Sequence, residues 1–201
     1  MTKKKFSDLK SRTVESMLRI GRCYETGDGV GKDLAEAAKW YRMAAEEGHA
    51  QGMFELSKCY TFGFGVRKNR VTAGKWLREA AEHGHVTAML LLGRWLLKEE
   101  SSGVGYDPRE AVKWFRRAAE NGDARAMFEL GECYEDGIGM KKEPDLAYRW
   151  FCRAVLAAPE DEALYERVQN HIFDPNLKNV REELLADKKP KDEKTDSVAS
   201  T

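Results

Sequence analysis

The stretch AEAAKWYRMAAEEGHA, residues 35–50, returns three times: VTAGKWLREAAEHGHV at 71–86, REAVKWFRRAAENGDA at 109–124 and DLAYRWFCRAVLAAPE at 145–160. Its tryptophans, Trp40, Trp76, Trp114 and Trp150, are spaced by 36, 38 and 36 residues. A period of this length marks an array of supersecondary units and decides how every other motif is read. A second segment alternates with the first: SMLRIGRCY at 16–24, GMFELSKCY at 52–60, AMLLLGRWL at 88–96 and AMFELGECY at 126–134. Gly21, Ser57, Gly93 and Gly131 hold one place in it, and the last three each follow a tryptophan by 17 residues.

Both segments have helical spacing. Met53, Leu56, Ser57 and Tyr60 fall at i, i+3, i+4 and i+7, as do Ala73, Trp76, Leu77 and Ala80, so each presents one apolar face. The small residues let two helices approach, and the tryptophan is expected to fill the groove between them. The connections carry Gly27/Gly29, Gly63/Gly65 and Gly137/Gly139, with Ser101/Gly103 in the longer loop of the third unit. These are turn residues, because glycine reaches positive φ without steric penalty. Asp33, Asn69 and Asp107 are expected N-caps of the second helices, Pro108 and Pro144 suit a first helical position, and Gly48, Gly84 and Gly122 are terminators.

In its leucine-glycine-x-x-tyrosine helix, its GxGV turn and its A-x-x-W-[YF]…AA-x-x-G-[HD]-A helix, the chain resembles the SEL-one-like repeat family, relatives of tetratricopeptide repeats. The resemblance covers about residues 14–158. It implies an all-α, right-handed α-solenoid of antiparallel helix pairs, with a concave groove lined by the first helices and used to bind other proteins. The expected organisation is a basic arm at 1–12, four repeats at 13–158, a helical cap at 159–186 and a disordered tail at 187–201. The cap is read from EDEALYERVQNHIF and from the apolar side Leu177, Val180, Leu184 and Leu185, since a terminal repeat needs its exposed face covered. The tail is low in apolar residues.

Composition narrows the functional classes. Lys plus Arg and Asp plus Glu number 34 each, so no net charge attracts nucleic acid or an anionic membrane. No apolar run approaches the roughly 18 residues of a membrane span, and the start lacks the apolar core of a secretory signal. The expected compartment is the cytoplasm; Asp8 and Glu15 speak against a mitochondrial presequence. GDGVGK at 27–32 has the look of a phosphate-binding loop. Such a loop follows a buried strand and places Ser or Thr after its Lys. Here no strand precedes, Asp33 follows Lys32, and the same turn returns at TFGFGVRKN and DGIGMKKEP. It reads as a turn between helices, and no cofactor is expected.

Cys23, Cys59 and Cys133 share one repeat position; equivalent places in a stack lie about 10 Å apart, too far for a disulfide. They are expected as free, packed thiols of a reducing compartment. His49, His83, His85 and His171 have no metal-ligand spacing and read as turn and surface residues. No nucleophile, base and orienter assemble, so no enzyme is expected. On the second helices, Lys39, Lys75, Lys113 and Arg149 form a basic ladder with Arg42, Arg78 and Arg116. Glu46, Glu82 and Glu120 lie four residues after those arginines, where i,i+4 pairing is expected to neutralise them. The outward positions of the first helices read Arg19 and Arg22, Glu55 and Lys58, Leu91 and Arg94, then Glu129, Glu132 and Asp136. That is a groove running from basic to acidic, interrupted by Leu91 and Trp95 and flanked by Phe62 and Phe64. The candidate partner-binding residues are Arg19, Arg22, Lys58, Phe62, Leu91, Arg94, Trp95, Glu129 and Glu132. The expected function is a non-enzymatic scaffold or adaptor holding a helix or extended peptide of another protein. The alternative is a regulatory module associated with a catalytic partner chain.

Overall fold

A computed structural model of the chain describes residues 13–98, 104–172, 174, 176–179 and 181–182. The expected arm at 1–12, the tail at 187–201, Ser101 and Gly103 of the third turn, and Val180, Leu184 and Leu185 lie outside them. Four helix pairs follow one another: α1 (Val14–Thr26) with α2 (Leu34–Glu46), α3 (Ala50–Phe62) with α4 (Arg70–Glu82), α5 (Val86–Leu96) with α6 (Pro108–Glu120), and α7 (Ala124–Asp136) with α8 (Pro144–Ala157). A ninth helix, α9 (Glu162–Gln169), comes after them. Each helix packs against the next in sequence, which makes an all-α solenoid.

The turns repeat down to single hydrogen bonds. Gly27, Gly63 and Gly137 end the first helices in the left-handed region, and their N–H groups donate to the carbonyls of Cys23, Cys59 and Cys133 at 2.8, 2.8 and 2.9 Å. The chain then returns: the N–H of Asp33, Asn69 and Glu143 donates to the carbonyl of Tyr24, Tyr60 and Tyr134. Asp33 accepts from the N–H of Ala35 and Glu36, Asn69 from Thr72, and Asp107 from Glu110, at 2.9–3.0 Å. These bonds satisfy donors that a helix start otherwise leaves open. Glu143 makes no such side-chain bond, and Pro144 at the start of α8 has no N–H to satisfy.

The core corrects one expectation. The groove between paired helices is filled not by the tryptophan but by the residue after it: Tyr41, Leu77, Phe115 and Phe151 are all buried. Trp40, Trp76 and Trp150 are only half-buried, while Trp114 is buried, with its indole N–H donating to Glu110 at 3.1 Å. The cause is the small residue on the facing helix. A Cβ added to Gly21 would come 2.6 Å from the Tyr41 ring, and one on Gly131 would come 2.6 Å from that of Phe151. Gly93 faces Phe115 in the same way. The second unit has Ser57 in place of glycine and Leu77 in place of the aromatic ring, so the larger residue on one helix is matched by the smaller on the other.

α9 begins as a fifth first helix would. Asp161 accepts from the N–H of Leu164 at 3.0 Å, as Asp123 does from Ala126 at 2.8 Å. Leu164 and Val168 of α9 join Phe128, Phe151 and Val155 in one apolar cluster with Leu177. Arg181, buried, donates to the Pro159 carbonyl at 2.8 Å and to the Glu162 carboxylate.

Candidate functional site

On the first-helix side, Arg19 and Arg22 are exposed and line a small cleft of about 290 Å³ with Thr26 and Asp28. Glu55 departs from its expected outward position: it is 9% exposed, accepts from Gln51 at 2.8 Å and pairs with Lys58 at 2.5 Å. Lys58 also lies 5.6 Å from the centre of the Phe54 ring. Leu91 and Trp95 are half-buried against the central core. Arg94 donates through Nε and Nη2 to Glu129 Oε1 at 2.9 and 2.6 Å. Glu132 faces Arg167 of α9 and His171 just after it, each at 3.8 Å, and burial together with neighbouring Glu129 pushes its carboxyl above the ordinary value. Part of the expected gradient is therefore spent on pairing, within α3 for Glu55 and Lys58 and between successive units or helices for Arg94, Glu129 and Glu132. What remains exposed in the second unit is aromatic: Phe62 is 60% and Phe64 40% exposed, and their rings stack at 5.3 Å.

His85, read from sequence as a turn residue, joins two units. Its Nδ1 accepts from the N–H of Ala88 at 3.1 Å, its Nε2 meets Gln51 Oε1 at 3.0 Å, and its ring stacks on Phe54 at 4.3 Å. The cap bond requires neutral imidazole with the proton on Nε2. Burial lowers its pKa below the ordinary 6.5, with Glu55 pulling the other way and His49 and Lys58 adding to the lowering. A depressed folded pKa means that the unfolded chain takes up the proton first. The contribution of His85 is thus complete above about pH 6.5 and is lost as pH falls through its lowered value. We expect the unfolding free energy from urea titrations to fall from pH 7.5 towards pH 5 by the worth of one helix cap, about 1 kcal/mol, and His85→Asn, which still caps, to flatten that part of the profile. An unchanged profile in the variant would show that the drop belongs to other groups.

The second-helix arginines form none of the expected i,i+4 pairs. Arg42 donates to the Tyr60 hydroxyl at 2.8 Å, Arg116 to the Tyr134 hydroxyl at 3.1 Å, and Arg78 pairs with Glu110 of the next unit. That guanidinium holds the Glu110 carboxyl below the usual range. The cysteines are free; burial pushes the Cys59 thiol up to about 11 and Cys133 to about 12, which keeps them protonated and inert. Among the described residues, no three His, Cys, Asp or Glu side chains are grouped to hold a metal ion, and no helix is long and apolar enough to cross a membrane. The arrangement offers surfaces for recognition: charges fixed between units, with an aromatic pair standing out.

A family model described as the Sel1 repeat matches residues 14–49, 50–85, 86–123 and 124–158. Among solved structures, a Sel1 repeat protein from Oxalobacter formigenes is similar at 28% identity and a TM-score of 0.75, over 85% of this chain and 49% of that one. A protective antigen of uropathogenic Escherichia coli strains with the same type of fold is similar at 29% identity and a TM-score of 0.71, over 83% and 37%. This chain thus spans half or less of those two proteins. An immunity protein from Pseudomonas aeruginosa, at 19% identity and a TM-score of 0.55 over 92% and 72%, shares the fold alone. There is no match among curated proteins.

Proposed function

The chain belongs to the Sel1 repeat family, whose members generally serve as scaffolds for protein interactions, and we propose that it holds a partner protein along its first-helix side. The observation that carries this reading is the stacked Phe62–Phe64 pair, exposed beside a row whose charges are largely paired with one another. Hot spots gather where an aromatic side chain is desolvated inside a polar rim. Phe62 fills the first role. Lys58 on the same helix and Arg94 on α5 supply the polar rim, Leu91 and Trp95 of α5 extend the apolar contact, Glu129 and Glu132 lie beyond on α7, and Arg19 and Arg22 on α1 act on the encounter rate. The partner is a helix or extended segment, and no cofactor or catalysis is part of this function.

A photo-reactive residue placed at Phe62 should give one dominant protein adduct in the source cells, and the same group at exposed Lys75 should not. Against that purified partner, Phe62→Ala should weaken binding by more than about 1 kcal/mol. Its melting temperature should stay at the wild-type value, because the ring is 60% exposed. Equal adducts from both positions, or unchanged affinity of Phe62→Ala, would move the site elsewhere.

A further inference from the structure

Arg42, Arg78 and Arg116 hold one repeat position on the second helices, and the structure gives them unequal partners. Arg78 reaches the next unit, where both Nη atoms meet the carboxylate of Glu110. The residue at the Glu110 position is Thr72 in the unit after Arg42 and Leu146 in the unit after Arg116. Those two guanidinium groups donate to the neutral hydroxyls of Tyr60 and Tyr134 instead. Neither makes an ion pair with a described residue.

Around each of them a cleft has opened. One, of about 700 Å³, is lined by Arg42, Arg67 and Lys68 with Tyr60, Asn69 and Thr72, and has no carboxylate in its wall. The other, of about 510 Å³, brings Arg109, Lys113, Arg116 and Arg117 together against the single acid Glu120, with Met140 as an apolar side. Three or four cations drawn into one cleft repel one another and gain from a carboxylate placed among them. The middle junction shows the gain being taken, since the chain supplies Glu110 there itself. On a molecule with no net charge, this clustering is local.

We propose that the clefts at Arg42 and Arg116 receive carboxylates of an acidic, extended segment of a partner protein, each taking the place that Glu110 takes at Arg78. The two clefts are two unit steps apart, about 20 Å by helix-packing distances, which an extended chain covers in about six residues. A polyphosphate track fits less well, because the group that the chain itself seats on the equivalent Arg78 is a carboxylate. The surface is on the second helices, so its failure would leave the first-helix reading untouched.

Fluorescence anisotropy on the full chain, with a fluorescein-labelled oligoglutamate peptide as the probe and oligothymidylate of equal charge beside it, tests this. Wild type should bind oligoglutamate saturably and more tightly than oligothymidylate. Arg42→Gln/Arg116→Gln should bind it about tenfold more weakly or worse. Lys39→Gln, which removes a charge paired with Glu36 outside both clefts, should bind as wild type does. Thr72→Glu gives Arg42 the carboxylate it lacks, at a helix start where an acid is favoured; it should lose probe affinity while melting no lower than wild type. The proposal is overturned if wild type does not bind oligoglutamate, or if oligothymidylate is preferred. It is overturned equally if Lys39→Gln weakens binding as much as the double variant, or if Thr72→Glu binds at full affinity.

Discussion

Gly65→Ala should unfold this protein at a markedly lower urea concentration than any substitution at a glycine that closes a second helix. Gly65 stands at φ +68°, and a Cβ there would lie 2.6 Å from the backbone nitrogen of Ala35 and closer still to the Leu34 carbonyl. Those atoms belong to the start of α2 in the preceding unit, so no rotamer change makes room. The left-handed conformation alone costs a residue with a Cβ about 1–2 kcal/mol, and the overlap forces the two units apart on top of that. We expect a loss of about 3 kcal/mol or more, against a typical total of about 5–15 kcal/mol. Gly48→Ala is the comparison: it has φ +83° but nothing within 4 Å of the added carbon. It should lose only the conformational part. Equal midpoints for the two variants would mean that the turn does not press on the preceding unit as described.

The second large effect concerns Phe115. It is wholly buried, and Phe115→Ala should cost about 3–5 kcal/mol through lost burial and the cavity left behind. Its facing glycine makes the more searching experiment. A side chain at Gly93 would meet the Phe115 ring at 2.7 Å from Cδ1 and nearer at Cε1, so Gly93→Ser should be strongly destabilising. Phe115→Leu should be destabilising for the opposite reason. Together they recreate the Ser57/Leu77 pairing of the second unit. The double variant should therefore lose at least about 1 kcal/mol less than the two single losses combined, a coupling that urea titrations of all four proteins resolve. Additive losses would show that the second unit tolerates Ser57 for some other reason.

These two cases mark how far the sequence can be read. The period of Trp40, Trp76, Trp114 and Trp150 gave the number of units, and Asp33, Asn69, Asp107 and the turn glycines stand at the caps and positive φ values they were assigned. Such signals are local: a cap or a left-handed turn is settled by residues a few places away. The identity of the buried ring was not legible, because Trp114 and Phe115 are adjacent on one helix. What separates them is how closely Gly93 on another helix lets a ring approach. The same holds for charge. The i,i+4 rule assigns Arg78 to Glu82, but α6 presents Glu110 to it from 32 residues further on. Arg94 likewise finds Glu129 at a separation of 35. The outward placement of Arg19, Arg22 and Phe62 was therefore legible, and that of Arg94 and Glu129 much less so, because neighbouring units consume each other's charges.

The reach of those bonds bears on how the chain folds during synthesis. The most distant side-chain hydrogen bond among the described residues joins His171 to Glu135, 36 residues apart, and the backbone interlock at Gly65 spans a similar distance. Each unit therefore has all its partners once one further unit has emerged from the ribosome. None has to wait for a distant strand, and little loop entropy accumulates before contacts form. Folding can advance from the amino terminus at the pace of translation, with only the newest helix pair bearing an uncovered apolar face at any moment. That face stays open until α9 arrives to close it.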